Sequence, residues 1–187
     1  PANLAVAIHP NEKYAKIRVA DAFYWVGEPL VSKLAKVCKF EQFEIVSICN
    51  GRDLAGQNCN HPFIDRSSPI LEAEYVTMDS GTGCVHIAPG HGLDDYQTGI
   101  EHGLDIYCPL DDNGCYVKDE EIPEELAGIS VLEKSNGNLA NKKVLEILRR
   151  KNHLLAQEKH HHQYPHCWRS KTPVVFRAMD QWFVSLD

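Results

Sequence analysis

No apolar stretch of this 187-residue chain approaches the roughly 18 residues that a bilayer-spanning helix needs. The first residues, PANLAVAIHPNEKYAKI, lack the basic flank and long apolar centre of a secretory signal. They also lack an initiating Met, which reads as a fragment or a processed form. No Cys-x-x-Cys pair occurs, which speaks against a zinc finger. There is no Gly-x-Ser-x-Gly elbow and no P-loop, so neither a serine-hydrolase nucleophile nor a phosphate cradle of those kinds is signalled. Internal repeats, low-complexity linkers and the regular strand–helix alternation of a doubly wound parallel sheet are missing too.

What remains is ordinary globular composition, 43% hydrophobic and 24% charged, in a length that buries one core with or without an appendage. The seven cysteines (38, 49, 59, 84, 108, 115 and 167) are odd in number and scattered. That suits a reducing compartment, and hence the cytoplasm, better than a disulfide scaffold. The net charge of −7 is unevenly spread. Residues 142–177 hold nine Lys or Arg against two acids, a net of +7, which leaves −14 for the rest. A basic segment on an acidic protein is either a solvated surface or a phosphate-facing one.

Hydrophobic alternation predicts strands at 4–9, 14–19, 22–26, 43–49, 70–78 and 84–87, with further pieces at 154–158, 174–177 and 182–184. Pro29 predicts a helix start, with Leu30, Leu34 and Val37 on one face. Asp94–His102 predicts a helix ended by Gly103. Residues 139–151 form the clearest helix, with Ala140, Val144, Ile147 and Leu148 on one stripe. Residues 51–63 read as a loop, Asn113-Gly114 as a turn and the acidic run 119–125 as a solvated loop. Short strands with a few helices predict an α+β fold, a curved sheet or β-barrel core flanked by helices.

The most informative segment is GTGCVHIAPGHGLDDY, residues 81–96. It reads as strand, glycine-rich turn, helix start, a place that commonly holds a substrate or an anion. His86, between Val85 and Ile87, faces away from its apolar neighbours, and Gly81, Gly83, Gly90 and Gly92 clear space beside it. A strand histidine is structural or a ligand contact; the glycines favour the second. His91 reads as a loop residue held by backbone bonds. Asp94 and Asp95 diverge by about 100° on a helix, so only one enters a site, while the other caps the helix or meets water. Cys84 reads as core. The Lys159-His160-His161-His162 run with His166-Cys167 tempts a metal reading, but strand alternation and Pro165 keep the side chains from converging, so no metal is expected.

These residues closely resemble the editing-domain signature of isoleucyl-tRNA synthetases. The likeness extends in order through Pro1-Ala2-Asn3 with Ala7, His61-Pro62-Phe63, Gly114-Cys115-Tyr116, Tyr164-Pro165 with Cys167-Trp168-Arg169, Lys171-Thr172-Pro173, Phe176-Arg177 and Gln181-Trp182-Phe183. His86 with Pro89-Gly90-His91-Gly92 and Asp94-Asp95-Tyr96 favours the isoleucyl branch over the valyl and leucyl ones.

The resemblance implies a single editing domain over 1–187, with 164–187 returning toward the catalytic domain of a longer, ATP-using ligase. It implies hydrolysis of valyl-tRNA(Ile) and of valyl-adenylate, in cis with the rest of the synthetase and on the acceptor end of tRNA(Ile). Asp95 would bind the α-ammonium of the valine moiety, and His86 would line the side-chain pocket and exclude isoleucine. Gly81, Thr82, Gly83, Gly90, His91 and Asp94 would contact substrate, and the charge of the basic stretch 142–177 makes Arg149, Arg150 and Lys151 the candidates for tRNA contact. No cofactor and no membrane is implied. In this family a threonine-rich strand precedes Pro1-Ala2-Asn3 and lines the pocket; the chain begins after it. Its absence leaves a non-catalytic tRNA 3′-end binding module as the alternative, with a zinc-stabilised structural domain as a third reading. Ser170 stands where some relatives carry a zinc-site cysteine.

Overall fold

The structure is a computed structural model and describes residues 1–132, 138–158 and 164–186. Seven strands form two sheets: β1 (Ala5–Ile8), β2 (Lys13–Val19), β3 (Ala22–Gly27), β4 (Glu44–Asn50), β5 (Asn58–Asn60), β6 (Ser67–Glu72) and β7 (Cys84–Ile87). The helices are α1 (Val31–Cys38), α2 (Leu93–Glu101) and α3 (Leu139–Arg150). The first sheet runs β5-β6-β1-β7 and the second β3-β2-β4. The fold is α+β, and among the described residues neither sheet closes into a barrel.

β1 is the spine of the first sheet. It pairs in parallel with β6, Val6 opposite Ile70, and antiparallel with β7, Val6 opposite His86. Ala5, Ala7 and Ile87 are fully buried against Val76 and Ala73, so the opposite face of β7 carries His86. The second sheet lies in sequence between β1 and β6. Ala15, Ile17 and Val26 on its inner face pack against Leu30, Val31 and Leu34 around α1. Pro29 sits in a short 3-10 turn, Glu28–Leu30, that leads into α1 and buries Leu30.

The two sheets meet at Tyr14. Its buried hydroxyl donates to the Gly83 carbonyl (2.6 Å) and accepts from the His9 amide (3.0 Å). Gly83 adopts φ +73°, and a Cβ there would stand 2.8 Å from the Met78 sulfur and 3.2 Å from Gly27 Cα. Glycine is therefore required on both grounds. The Gly27 amide donates to the Thr82 carbonyl across the same joint.

Several expectations are corrected. The 51–63 loop contains β5, because Gly56 turns the chain back at φ +78° and lets Asn58–Asn60 pair with β6. The strand expected at 70–78 runs instead from Ser67 to Glu72. The C-terminal pieces at 154–158, 174–177 and 182–184 form no strand; the chain there is largely exposed, and one isolated bridge, His166 to Pro173, is its only ladder contact among the described residues. The acidic run is not simply solvated. Ile122 within it and Leu126 just after it are buried against Ile147 of α3, with Phe63 and Tyr116 beside them.

Replacing Tyr14 by Phe should lower the unfolding free energy by about 1–3 kcal/mol, since it strands a buried carbonyl and amide. Urea unfolding of the two proteins tests this, and an unchanged midpoint would remove Tyr14 as the joint.

Candidate functional site

β7 ends at Ile87, and Ala88-Pro89-Gly90 turns the chain into His91 and α2. The turn is closed by the His91 amide donating to the Ala88 carbonyl (2.8 Å). Two glycines shape it. At Gly90 a Cβ would stand 2.4 Å from the Tyr107 carbonyl oxygen, and at Gly99 one would stand 2.8 Å from Pro89 Cγ. Backbone thus packs on backbone beneath the turn, and α2 lies close against Pro89.

Beside this turn is a cavity of about 490 Å³. His86, Ala88 and His91 form one wall and Pro1-Ala2-Asn3 another. Leu110, Val131 and Val175 supply apolar surface, while Asn138 and Asn141 supply amides. The size and the mixed lining suit a small ligand with an apolar part and a few polar groups.

Each wall is held by identifiable bonds. The Arg66 guanidinium donates to the carbonyls of Pro1 (2.9 Å) and Asn3 (2.8 Å) and is ion-paired with Glu121. Buried Ser68 donates to Asn3 Oδ1 (2.8 Å), and Asn3 Nδ2 to the Ala5 carbonyl (2.7 Å). Arg177 donates to the Leu110 carbonyl (3.3 Å) and to Asp112 (2.7 Å). Asn138 caps α3 by accepting from the Asn141 amide (3.0 Å).

Asp95 Oδ2 accepts from the Ala88 amide at 2.9 Å, tying the first turn of α2 to the end of β7. Asp95 is not a lining residue, but its charge acts on both histidines. His86 keeps an open side, yet its surroundings desolvate the ring and lower its pKa; the Asp95 charge opposes that shift. Burial likewise lowers the pKa of His91, against the Phe176 carbonyl and Asp95. His91 Nδ1 lies 3.0 Å from that carbonyl.

The structure does not bring all the expected residues together. His86 and His91 line the cavity, Gly90 lies in the turn between them, and Asp95 holds that turn through the Ala88 amide. Gly81, Thr82 and Gly83 lie at the far end of β7, where Thr82 and Gly83 join the sheets and Gly81 is exposed. Asp94 is exposed and borders a separate hollow with Tyr75, Thr98 and His102. Arg149 donates to Gln157 (2.6 Å), Arg150 is ion-paired with Glu125, and Lys151 reaches the Phe63 carbonyl (3.4 Å). Cys84 is raised to about 11 by burial, consistent with a core thiol, and no disulfide joins any of the seven cysteines. Residues 159–163, with the histidine run, lie outside the described residues. Among the described residues no group of three or more His, Cys, Asp or Glu could hold a metal, and no helix is long and apolar enough to cross a membrane.

No motif marks Arg66 or Ser68, and the role of His61 is visible only in the fold. That ring is buried; its Nδ1 accepts from the Phe63 (3.3 Å) and Ile64 (3.1 Å) amides, and burial lowers its pKa to about 4.

An α+β domain with a strand–turn–helix segment opening on a small mixed cavity is of the ligand-pocket class. A family model described as "Leucyl-tRNA synthetase, editing domain" matches residues 45–152. The chain belongs to this family of aminoacyl-tRNA synthetase editing domains. It is 48% identical over its whole length to the isoleucine–tRNA ligase of Nitratidesulfovibrio vulgaris (strain DP4), and 41% to that of Kosmotoga olearia. It spans about a fifth, 19%, of the length of each. Among solved structures, the crystal structure of GlLeuRS-CP1 is similar at 18% identity and a TM-score of 0.46, covering 80% of this chain and 60% of that one. The P. falciparum cytosolic leucyl-tRNA synthetase editing domain is similar at 17% identity and a TM-score of 0.42, covering 79% and 56%.

The His61 shift sets a pH dependence. Its ring is neutral in the folded protein down to about pH 4, while an unfolded one takes a proton near 6.5. Stability from this group is complete above pH 6.5 and falls as pH drops toward 4, by roughly 3 kcal/mol in all. Urea unfolding between pH 7 and 4, with the His61 ring followed by NMR, checks it; a ring titrating near 6.5 would refute the assignment.

Proposed function

We propose that this domain proofreads for an isoleucine–tRNA ligase by hydrolysing valyl-tRNA(Ile), and valyl-adenylate as well. The observation that carries the reading is the cavity itself, with His86 on its wall in a chain of the editing family. The 48% identity to an isoleucine–tRNA ligase supports the isoleucyl branch. The need is one of magnitude. One methylene in an apolar pocket is worth about 1–3 kcal/mol, and isoleucyl enzymes are themselves the standard case of that limit. A second pocket that admits valine and clashes with isoleucine supplies the missing discrimination.

In this reading His86 measures the side chain. Asp95 anchors the ammonium through Oδ1, which makes no hydrogen bond among the described residues, while Oδ2 stays on Ala88. The ester is already activated, so positioning substrate and water is most of the task, and no metal is invoked. The domain spans 1–187, and its segment from 164 onward returns to the catalytic body, working in cis on the tRNA(Ile) acceptor end in the cytoplasm.

In the full-length ligase, Asp95→Ala should slow valyl-tRNA(Ile) deacylation by 10-fold or more, the equivalent of a lost charged hydrogen bond worth ~1.5–3 kcal/mol. His86→Ala should release isoleucyl-tRNA(Ile) to hydrolysis. Full deacylation by the Asp95 variant, or continued protection of isoleucyl-tRNA in the His86 variant, would sink those roles. RNA binding without any deacylation by the natural enzyme would turn the reading toward a 3′-end binding module.

The tRNA contact is assigned to the end of α3. Arg149→Glu should weaken tRNA binding, with a shallower dependence on salt. Unchanged affinity at every salt concentration would return that helix end to plain solvated surface.

A further inference from the structure

We infer that His91 is the general base that activates the hydrolytic water in this cavity, an inference that rests on the editing reading above. His91 is fixed from both sides. Its amide donates to the Ala88 carbonyl, and its ring contacts the Phe176 carbonyl at 3.0 Å. Next to it the Ala178 amide donates to the Gly90 carbonyl at 2.8 Å. The C-terminal segment is therefore laced to the turn that carries the histidine.

A carbonyl oxygen has no proton to give. Nδ1 must carry the proton and donate, which leaves the lone pair on Nε2. Nε2 makes no hydrogen bond among the described residues, and among them no buried side-chain nitrogen or oxygen lacks a partner. Nε2 is thus open to solvent, on a residue that lines the cavity. This is the base-and-orienter arrangement of acyl hydrolysis, with a backbone carbonyl as the orienter. His86 differs: among the described residues neither of its ring nitrogens is hydrogen-bonded, so nothing fixes its tautomer. It serves as a wall, and His91 as a base.

The charged and titratable groups facing His91 are Asp95 of α2, His86 of β7 and the Pro1 amino group on the opposite wall, while Arg177 of the C-terminal segment is turned to Asp112. Burial keeps the His91 ring neutral near pH 7, as a base requires. The Phe176 carbonyl and Asp95 both favour the imidazolium that forms when the ring takes the water's proton. In the step, the water oxygen bonds to the ester carbonyl carbon and its proton passes to Nε2. The bond from that carbon to the ribose oxygen then breaks, and the proton on Nε2 goes to the departing oxygen. The products are the free amino acid and the tRNA with its hydroxyl restored.

The test uses the full-length ligase and valyl-tRNA(Ile) in single-turnover deacylation. His91→Asn keeps a side-chain donor for the Phe176 carbonyl and removes the base. Its deacylation should fall by about 10²-fold or more, with tRNA affinity and aminoacylation retained. The natural enzyme should lose rate as pH falls below a pKa under the usual 6.5, and that limb should vanish in His91→Asn. A natural enzyme that deacylates while His91→Asn keeps nearly all its rate, or keeps the limb, overturns the base but not the editing function. A natural enzyme with no deacylation overturns both. If His91→Asn loses aminoacylation through misfolding, the natural enzyme's own profile decides, and a rate independent of pH from 5 to 8 refutes the role.

Discussion

The carboxylate of Asp95 on the Ala88 amide is the bond on which the site depends. It joins the end of β7 to the first turn of α2, the two elements that carry His86 and His91. A carboxylate at a helix N-terminus is favoured by the orphan amides and the dipole there. Here it reaches instead to an amide outside the helix. The turn of Ala88, Pro89 and Gly90 is thereby held taut, and the two rings keep a common cavity wall. Because the same charge supports the imidazolium of both rings, one side chain sets the geometry and the electrostatics together.

Around that bond the architecture is a matter of closing walls that lie far apart in sequence. Arg66 and Ser68, flanking the start of β6, fix residues 1–3, and Arg177 fixes the loop at Leu110. Burying Ile122 and Leu126 under α3 brings Asn138 and Asn141 to the cavity rim. The second sheet contributes no lining residue. It is tied to the start of β7 through the Tyr14 hydroxyl and the Gly83 carbonyl.

Periodicity made most of the elements legible. β1, β2, β3, β4, β7 and all three helices lie close to their expected positions, because each pairs a clear apolar face with a turn or cap residue. The exceptions have physical reasons. β5 is three polar-flanked residues, too short for any period to emerge. Ile122 and Leu126 were hidden among acids because a one-turn apolar pair has no periodic signal. The apolar pieces after 154 look like strands in composition yet find no ladder.

The candidate site was half legible. Residues 86–91 form the strand end and turn that the sequence predicts, and His86, Ala88 and His91 of that segment line the cavity, since local geometry decides where consecutive residues point. Gly81 to Gly83 do not line it, although they belong to the same motif. A four-residue strand separates the two ends by about 13 Å, so glycines of one motif serve different purposes: Gly83 closes a sheet joint, while Gly90 lets the turn pack on the Tyr107 backbone. The basic stretch shows the same limit for charge. Arg150 spends its charge on Glu125, a partner 25 residues away that no local count reveals. Histidines 86 and 91 are alike in sequence context, both near glycine and both within reach of Asp95. What separates them is a single carbonyl, Phe176, which arrives from the opposite end of the chain and fixes the tautomer of one ring only. A functional distinction between two side chains can thus rest on backbone that neither neighbours in sequence.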